Sequence, residues 1–227
     1  HDFPDKELGK VSPYGIYDLQ KNEGWVSVGI DRNTAQFAVN SIRTWWKKMG
    51  KKQYPKAKKL LITADAGGSN GYRPHMWKVK LQEVLCNKYG LKVTVCHYPP
   101  GASKWNLIEH RLFSEISKNW QAVPLIDYET VLKYTKSTKT TTGLSVDAIL
   151  VDNRYNKGLK ASEEDLEKLN IKPGARVRFT GTFLELPQPR SRSGTLSGYM
   201  GGENSLLIEI PGVSGKKYET NDQQPNS

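Results

Sequence analysis

Two short runs rich in β-formers open the patterned part of the chain. They are Tyr14-Gly-Ile-Tyr-Asp-Leu19 and Trp25-Val-Ser-Val-Gly-Ile30, and the polar turn Gln20-Lys-Asn-Glu-Gly24 between them predicts a hairpin. Ala35, Ala38, Ile42, Trp45, Trp46 and Met49 then recur at three- and four-residue spacings. This is the apolar stripe of a helix, with Asn33 or Thr34 placed to cap it and Gly50 placed to end it. Leu60-Leu-Ile-Thr-Ala64 is a continuous apolar run, the pattern of a strand covered on both faces. A second helix carries Trp77, Leu81, Val84, Leu85 and Tyr89 on one side, with Pro74 near its start and Gly90 after its end. The strand Lys92-Val-Thr-Val-Cys-His97 runs into Pro99-Pro100-Gly101, and a third helix is predicted from about Trp105 to Trp120.

Hairpin, helix, strand, helix, strand, helix implies an α/β fold with a mixed sheet, whose later strands pair in parallel through helical crossovers. Ligands of such sheets gather at the carboxyl ends of the parallel strands, which here are Asp65 and His97. Further along, the pattern predicts a helix near 128–136 and a strand near 146–151. A short helix follows at Ser162-Glu-Glu-Asp-Leu-Glu-Lys-Leu169, with Ser162 as its cap and acids in its first turn. From Lys172 the character changes: strand-like alternation over Arg176–Leu186, a Pro/Ser/Arg/Gly linker, a further strand at Ser205-Leu-Leu-Ile-Glu-Ile210, and a polar end. Three regions are expected: 1–125 as a core, 126–171 as its C-terminal part, and 172–227 as an irregular β-rich or disordered tail.

The composition narrows the class. In 227 residues, 34 Lys and Arg face 23 Asp and Glu, a formal net charge of +11 that points to a polyanionic partner, most often nucleic acid. No stretch has the ~20 apolar residues of a membrane span. The two cysteines, Cys86 and Cys96, are too few for a disulfide framework and have no metal-ligand spacing, which suits a reducing, intracellular setting. The chain opens on His1 rather than on a methionine and is read as a fragment of a longer frame.

Glu109 is the most informative single residue. At 100° per residue, Trp105, Ile108, Leu112, Phe113, Ile116 and Trp120 share an arc of the third helix, with Glu109 near its middle. A carboxylate facing a core costs several kcal/mol unless it is paired, hydrogen-bonded or metal-bound. An internal salt bridge, to Arg73 or Lys104, or a helix rolled so that Glu109 reaches solvent, accounts for it as well as a catalytic role does. Asp65 follows the buried strand and precedes Ala66-Gly-Gly-Ser-Asn-Gly71, where backbone can approach a ligand; a turn-shaping Asp is the commoner use. The glycine run lacks the lysine and spacing of a phosphate-binding loop. Both acids can project into one mouth of the sheet, a pairing that suits a divalent cation bridging phosphate oxygens. A third acid is normally needed, and Asp18 and Asp31 on the hairpin are the local candidates. Arg43, Lys47, Lys48, Lys51, Lys52, Lys56, Lys58 and Lys59 form a basic stretch, by default a solvated face and alternatively a phosphate-tracking surface. Trp45, Trp46 and Trp77 are read as core, and His97 and His110 as structural although near the mouth.

The segments Leu60-Leu-Ile-Thr-Ala-Asp-Ala-Gly-Gly-Ser-Asn-Gly71 and Cys96-His-Tyr-Pro-Pro-Gly-Ala-Ser-Lys-Trp-Asn-Leu-Ile-Glu-His-Arg-Leu-Phe113 closely resemble the ISAzo-type, or Rhodopirellula-type, insertion-sequence DDE transposases. His1-Asp-Phe-Pro4, Pro13-Tyr-Gly-Ile-Tyr-Asp18 and Thr138-Lys-Thr-Thr-Thr-Gly-Leu144 also look like that family, and the match covers roughly residues 1–170. The resemblance implies a ribonuclease-H-like core and an Asp-Asp-Glu triad holding two Mg²⁺ or Mn²⁺ ions, with DNA as partner, a bacterial cytoplasmic setting and a possible homo-oligomer on DNA. By position, Asp65 is the second acid and Glu109 the third, both catalytic and metal-binding. Lys104, Asn106, His110 and Arg111 flank them toward DNA, and Lys47 and Lys51 are further candidates. The family's first acid lies on a strand upstream of His1, so the sheet is expected to lack its first strand and the chain to be inactive alone. Ala66 and Ala102 replace the glycine and threonine usual in the family. The rival readings are a DNA-binding remnant without catalysis and a metal-dependent nuclease recruiting Asp18 or Asp31.

Overall fold

The computed structural model describes residues 11–31, 33–64, 75–98, 105–121, 123, 127–156, 158–171 and 205–210. The hairpin forms as β1 (Ser12–Asp18) and β2 (Glu23–Gly29), antiparallel with Tyr14 opposite Ser27 and Ile16 opposite Trp25. Asn22 takes a positive φ of 54° in the tight turn, which Asn tolerates better than most residues. Thr34 caps α1 (Ala35–Trp45), its hydroxyl accepting from Phe37 N at 3.2 Å.

Gly50 does not end this helix as the sequence suggested. The backbone continues through a π-helical turn, Trp46–Gly50, into α2 (Lys51–Gln53). A side chain at Gly50 would sit 2.6 Å from the Trp46 ring, so the glycine admits the indole rather than stopping the helix. β3 (Lys59–Ala64) is buried on both faces. It pairs in parallel with β4 (Lys92–His97) after the crossover α3 (His75–Leu81), which runs on through a π-helical turn, Gln82–Asn87. Gly90, at φ 66°, closes that helix.

The third helix starts late. Glu109–Phe113 is a π-helical turn that continues as α4 (Ser114–Trp120). Trp105 lies ahead of the α-helical backbone, which opens at Leu107, and is 48% exposed instead of sharing the buried arc. Ile108, Leu112, Phe113, Ile116 and Trp120 do share it. α5 (Tyr128–Lys136) is capped by Asp127 and leads to β5 (Ser145–Val151), parallel to β2. Ser162 and Asp165 form a capping box at α6 (Glu163–Glu167).

Residues 205–210, read from sequence as a strand within a tail, form β6 (Ser205–Ile210) at the centre of the sheet. The strand order is β4-β3-β6-β1-β2-β5. β6 runs parallel to β3, with Ile208 opposite Ile62, and antiparallel to β1, with Ile208 opposite Asp18. β6 thus joins β3 to β1 within the sheet. Residues 176–186, the other expected strand of the tail, lie outside the described residues.

Each face of the sheet carries its own core. Tyr14, Ile16, Ile62, Ile208 and Ile210 pack with α1 and α3 on one side. Tyr17, Val26 and Val28 pack with the Glu109 helix and α5 on the other. Trp45, Trp46 and Trp77 are core residues, as their spacing indicated. No helix among the described residues is long and apolar enough to cross a membrane.

Candidate active site at the carboxyl edge of the sheet

Ala64 ends β3 and pairs with His97, the last residue of β4, and Tyr98 N donates to Ala64 O at 2.8 Å. Asp65 is the next residue in the chain and lies outside the described residues, as do Lys104 and the glycine run 66–71. Its partner candidate is described. Glu109 opens the π-helical turn, is partly exposed, and its N–H donates to Asn106 O at 3.2 Å.

Register shows which edge Glu109 occupies. Tyr17 pairs with Glu209 and Ala64 with Ile210, so Gly15 of β1 stands one step beyond Ala64 toward the carboxyl edge. A Cβ at Gly15 would meet Phe113 at 2.7 Å and Ile108 at 3.3 Å, and one at Gly24 would overlap Leu112. The two glycines form the seat on which the helix rests, and the seat brings Ile108, the neighbour of Glu109, against β1 one step beyond the level of Ala64. Sequence reasoning passed over this pair. Glycine inside a strand, on the same face of two adjacent strands, is the signal that marks close approach of another element.

Asn106, one turn before Glu109, is 2% exposed, and its side-chain oxygen has no hydrogen-bond donor among the described residues. Leaving a buried acceptor unmet costs about 1–3 kcal/mol. Among the described residues no three of His, Cys, Asp and Glu converge to hold a metal. His110 and Arg111 are exposed on the outer side of the same turn. His97 is half-buried with its ring 6.1 Å from that of Trp77.

The other two acids are engaged elsewhere. Asp18 is fully buried and, two residues on from Ile16 along β1, lies on the α1 face, opposite to Glu109. Its carboxylate accepts from Gln20 N at 3.0 Å, Lys21 N at 3.1 Å and Tyr54 Oη at 2.8 Å. Burial raises its pKa above the ordinary carboxylate value in spite of these donors. Asp31 accepts from Tyr155 N at 3.1 Å, tying the end of β2 to the segment after β5. Both read as structural carboxylates, and neither shares an element with Glu109. Lys47 and Lys51 are exposed but belong to the segment that leads into the amino end of β3, far from the carboxyl edge.

The family described as the Rhodopirellula transposase DDE domain matches residues 1–179. The chain belongs to this family. Transposase function of the DDE type follows at the level of the family, with DNA as the implied partner and divalent-metal dependence as its implied chemistry. No curated protein and no solved structure matches the chain. β6 lies outside the matched residues, yet it occupies the centre of this DDE domain's sheet.

Proposed function

We propose that this chain is a catalytic core for DNA transposition, cutting and joining phosphodiesters at the carboxyl edge of a ribonuclease-H-like sheet, with Asp65 and Glu109 as two of its three acids. The observation that supports this reading is the seat of the Glu109 helix on Gly15 and Gly24, which brings Ile108, the residue before Glu109, against β1 one step beyond the level of Ala64. Asp65 and Glu109 are the residues that would hold Mg²⁺ or Mn²⁺. Such ions, when bound, supply Lewis-acid stabilisation of the attacking and leaving oxygens of an in-line displacement. In this reading the helix presents the Glu109 carboxylate to the ions, and His110 and Arg111, exposed on the same turn, meet the phosphate backbone. The third acid belongs, by the family pattern, to a strand upstream of His1. The engagements of Asp18 and Asp31 weigh against the nuclease alternative that recruits either one.

The test is Mg²⁺-dependent cleavage of insertion-sequence end DNA, by the chain alone and by the chain joined to an upstream segment bearing the family's first aspartate. The extended chain cleaves, and Glu109→Gln or Asp65→Asn lowers the rate by at least about a thousandfold, several kcal/mol of transition-state stabilisation. Cleavage that survives Glu109→Gln would overturn the assignment. Cleavage by the chain alone that is lost in Asp18→Asn or Asp31→Asn would favour the nuclease.

A further inference from the structure

At the amino edge of the sheet, opposite the candidate site, the fold collects lysines without collecting acids. No Asp or Glu occurs between Asp31 and Asp65, while Arg32, Arg43 and seven lysines do. Lys47 and Lys51, like Lys48 and Lys52, lie four residues apart on continuous helical backbone, and all four are exposed. Lys56, Lys58 and Lys59 follow, exposed, at the start of β3. Lys59 stands directly opposite Lys92 in the parallel register, and Lys92 N donates to Lys58 O at 2.8 Å. The packing of the Trp46 and Tyr89 rings, 6.4 Å between centroids, draws the turn bearing exposed Lys88 alongside.

Like charges at helical four-residue spacing and across paired strands each cost a few tenths of a kcal/mol. Of Glu23, Glu83 and Asp18, none is in an ion pair with these lysines: Glu23 keeps its charge while accepting from Gln53, Glu83 pairs with Lys80 at 2.7 Å, and Asp18 is buried. Among the described residues none of these edge lysines is in an ion pair. A surface that gathers cations from two successive strand–helix units and leaves them unneutralised suits a polyanion whose charges repeat every few ångströms.

We propose that this lysine-rich amino edge is a second binding surface for duplex DNA, separate from the carboxyl-edge site. β3 is six residues long, so the surface lies roughly 17 Å from the candidate site at about 3.3 Å per residue. That spacing corresponds to about five base pairs along a duplex. The edge therefore grips backbone flanking the phosphodiester that reacts, and adds affinity and orientation without touching the chemistry. The identity of the polyanion rests on the transposase reading; the surface itself does not depend on Glu109 or Asp65.

The experiment is fluorescence anisotropy with the full chain, a labelled 20-base-pair DNA duplex and EDTA, repeated across salt concentrations. Replacing Lys47, Lys48, Lys51 and Lys52 together by Gln weakens binding at least tenfold at about 0.1 M salt. The slope of log affinity against log salt becomes shallower by about 0.9 for each phosphate that the variant no longer neutralises. Replacing four exposed lysines elsewhere, Lys133, Lys139, Lys160 and Lys168, leaves that slope within about 0.9 of the parent's, the equivalent of a single phosphate. In the unsubstituted chain, DNA protects Lys47–Lys52 from acetylation mapped by mass spectrometry. An unchanged slope, an equal loss in the distant set, full acetylation in the presence of DNA, or tighter binding of an RNA duplex would each overturn the proposal. Binding in EDTA is read without cleavage, so failure of catalysis and failure of this surface are read separately.

Discussion

Asp18 and Glu109 sit on opposite faces of the same sheet, and they show two ways a fold can keep an acid. On the α1 face, Asp18 is sealed at 0% exposure and receives two backbone amides and the Tyr54 hydroxyl. On the other face, Glu109 lies at the margin of its helix, partly exposed, beside an Asn106 whose enclosed oxygen has no donor among the described residues. The first arrangement satisfies a carboxylate within the protein and leaves it nothing further to bind. The second leaves the carboxylate within reach of solvent. A buried acid is thus the poorer candidate for chemistry when its donors are complete, even when its position in a family motif draws attention to it.

The two faces share β6, so the largest effect breaks both at once. Ile208 and Ile210 are fully buried, and β6 alone connects β3 to β1 within the sheet. A chain ending at Ile171 is expected to lose cooperative unfolding altogether, followed by far-UV circular dichroism in urea. Within the full chain, Ile208→Ala costs about 2–5 kcal/mol, the usual range for emptying a closed aliphatic site. A cooperative transition with an unshifted midpoint in the shortened chain would show that β6 is dispensable and that each face stands without it.

Gly24→Val tests the Glu109 face alone. The added methyls collide with Leu112 and crowd Val146. Either the helix lifts or the strand shifts, at a cost of about 1–3 kcal/mol. Because the helix carries Glu109, cleavage by the extended chain falls even at temperatures where the variant is fully folded. Full activity in a folded Gly24→Val protein would mean that the seat does not position Glu109.

Much of this architecture was legible in the chain. The hairpin, the stripe of α1, the doubly covered β3, the Ser162 cap and the strand at 205–210 all rest on local pattern, and the structure forms each of them. The place of β6 was not legible, since a strand pairing across more than a hundred residues leaves no trace in its own six. Trp105 misled because periodicity does not announce where a helix begins, and Gly50 because a glycine that accommodates a ring looks like one that ends a helix. At the site, the family motif singled out Glu109, but the glycine seat and the enclosure of Asn106 arise only when β1, β2 and the helix meet. Asp18 carried a missed local signal: Asp followed two and three residues later by amides that turn back toward it is a common turn device.

The smallest expected effect sharpens the contrast most directly, because it asks which influence on Asp18 dominates. Burial favours the neutral carboxyl, while Tyr54 and the amides of Gln20 and Lys21 favour the charged form; the net direction is upward from the usual value near 3.8. A folded-state pKa above the unfolded one means the native protein holds the proton longer. The stability this contributes is complete below the unfolded pKa and is lost as pH rises through the folded value. Asp18→Asn retains an oxygen for the two amides and a polar partner for Tyr54, and it removes the titration. Its stability relative to the parent should therefore increase as pH rises from about 4 through the folded-state pKa, then level off, as read from urea midpoints at half-unit steps. A difference that moves in the other direction would mean that the three donors outweigh burial. Asp18 would then be a stabilised anion on the sealed face, and its contrast with Glu109 would rest on exposure alone.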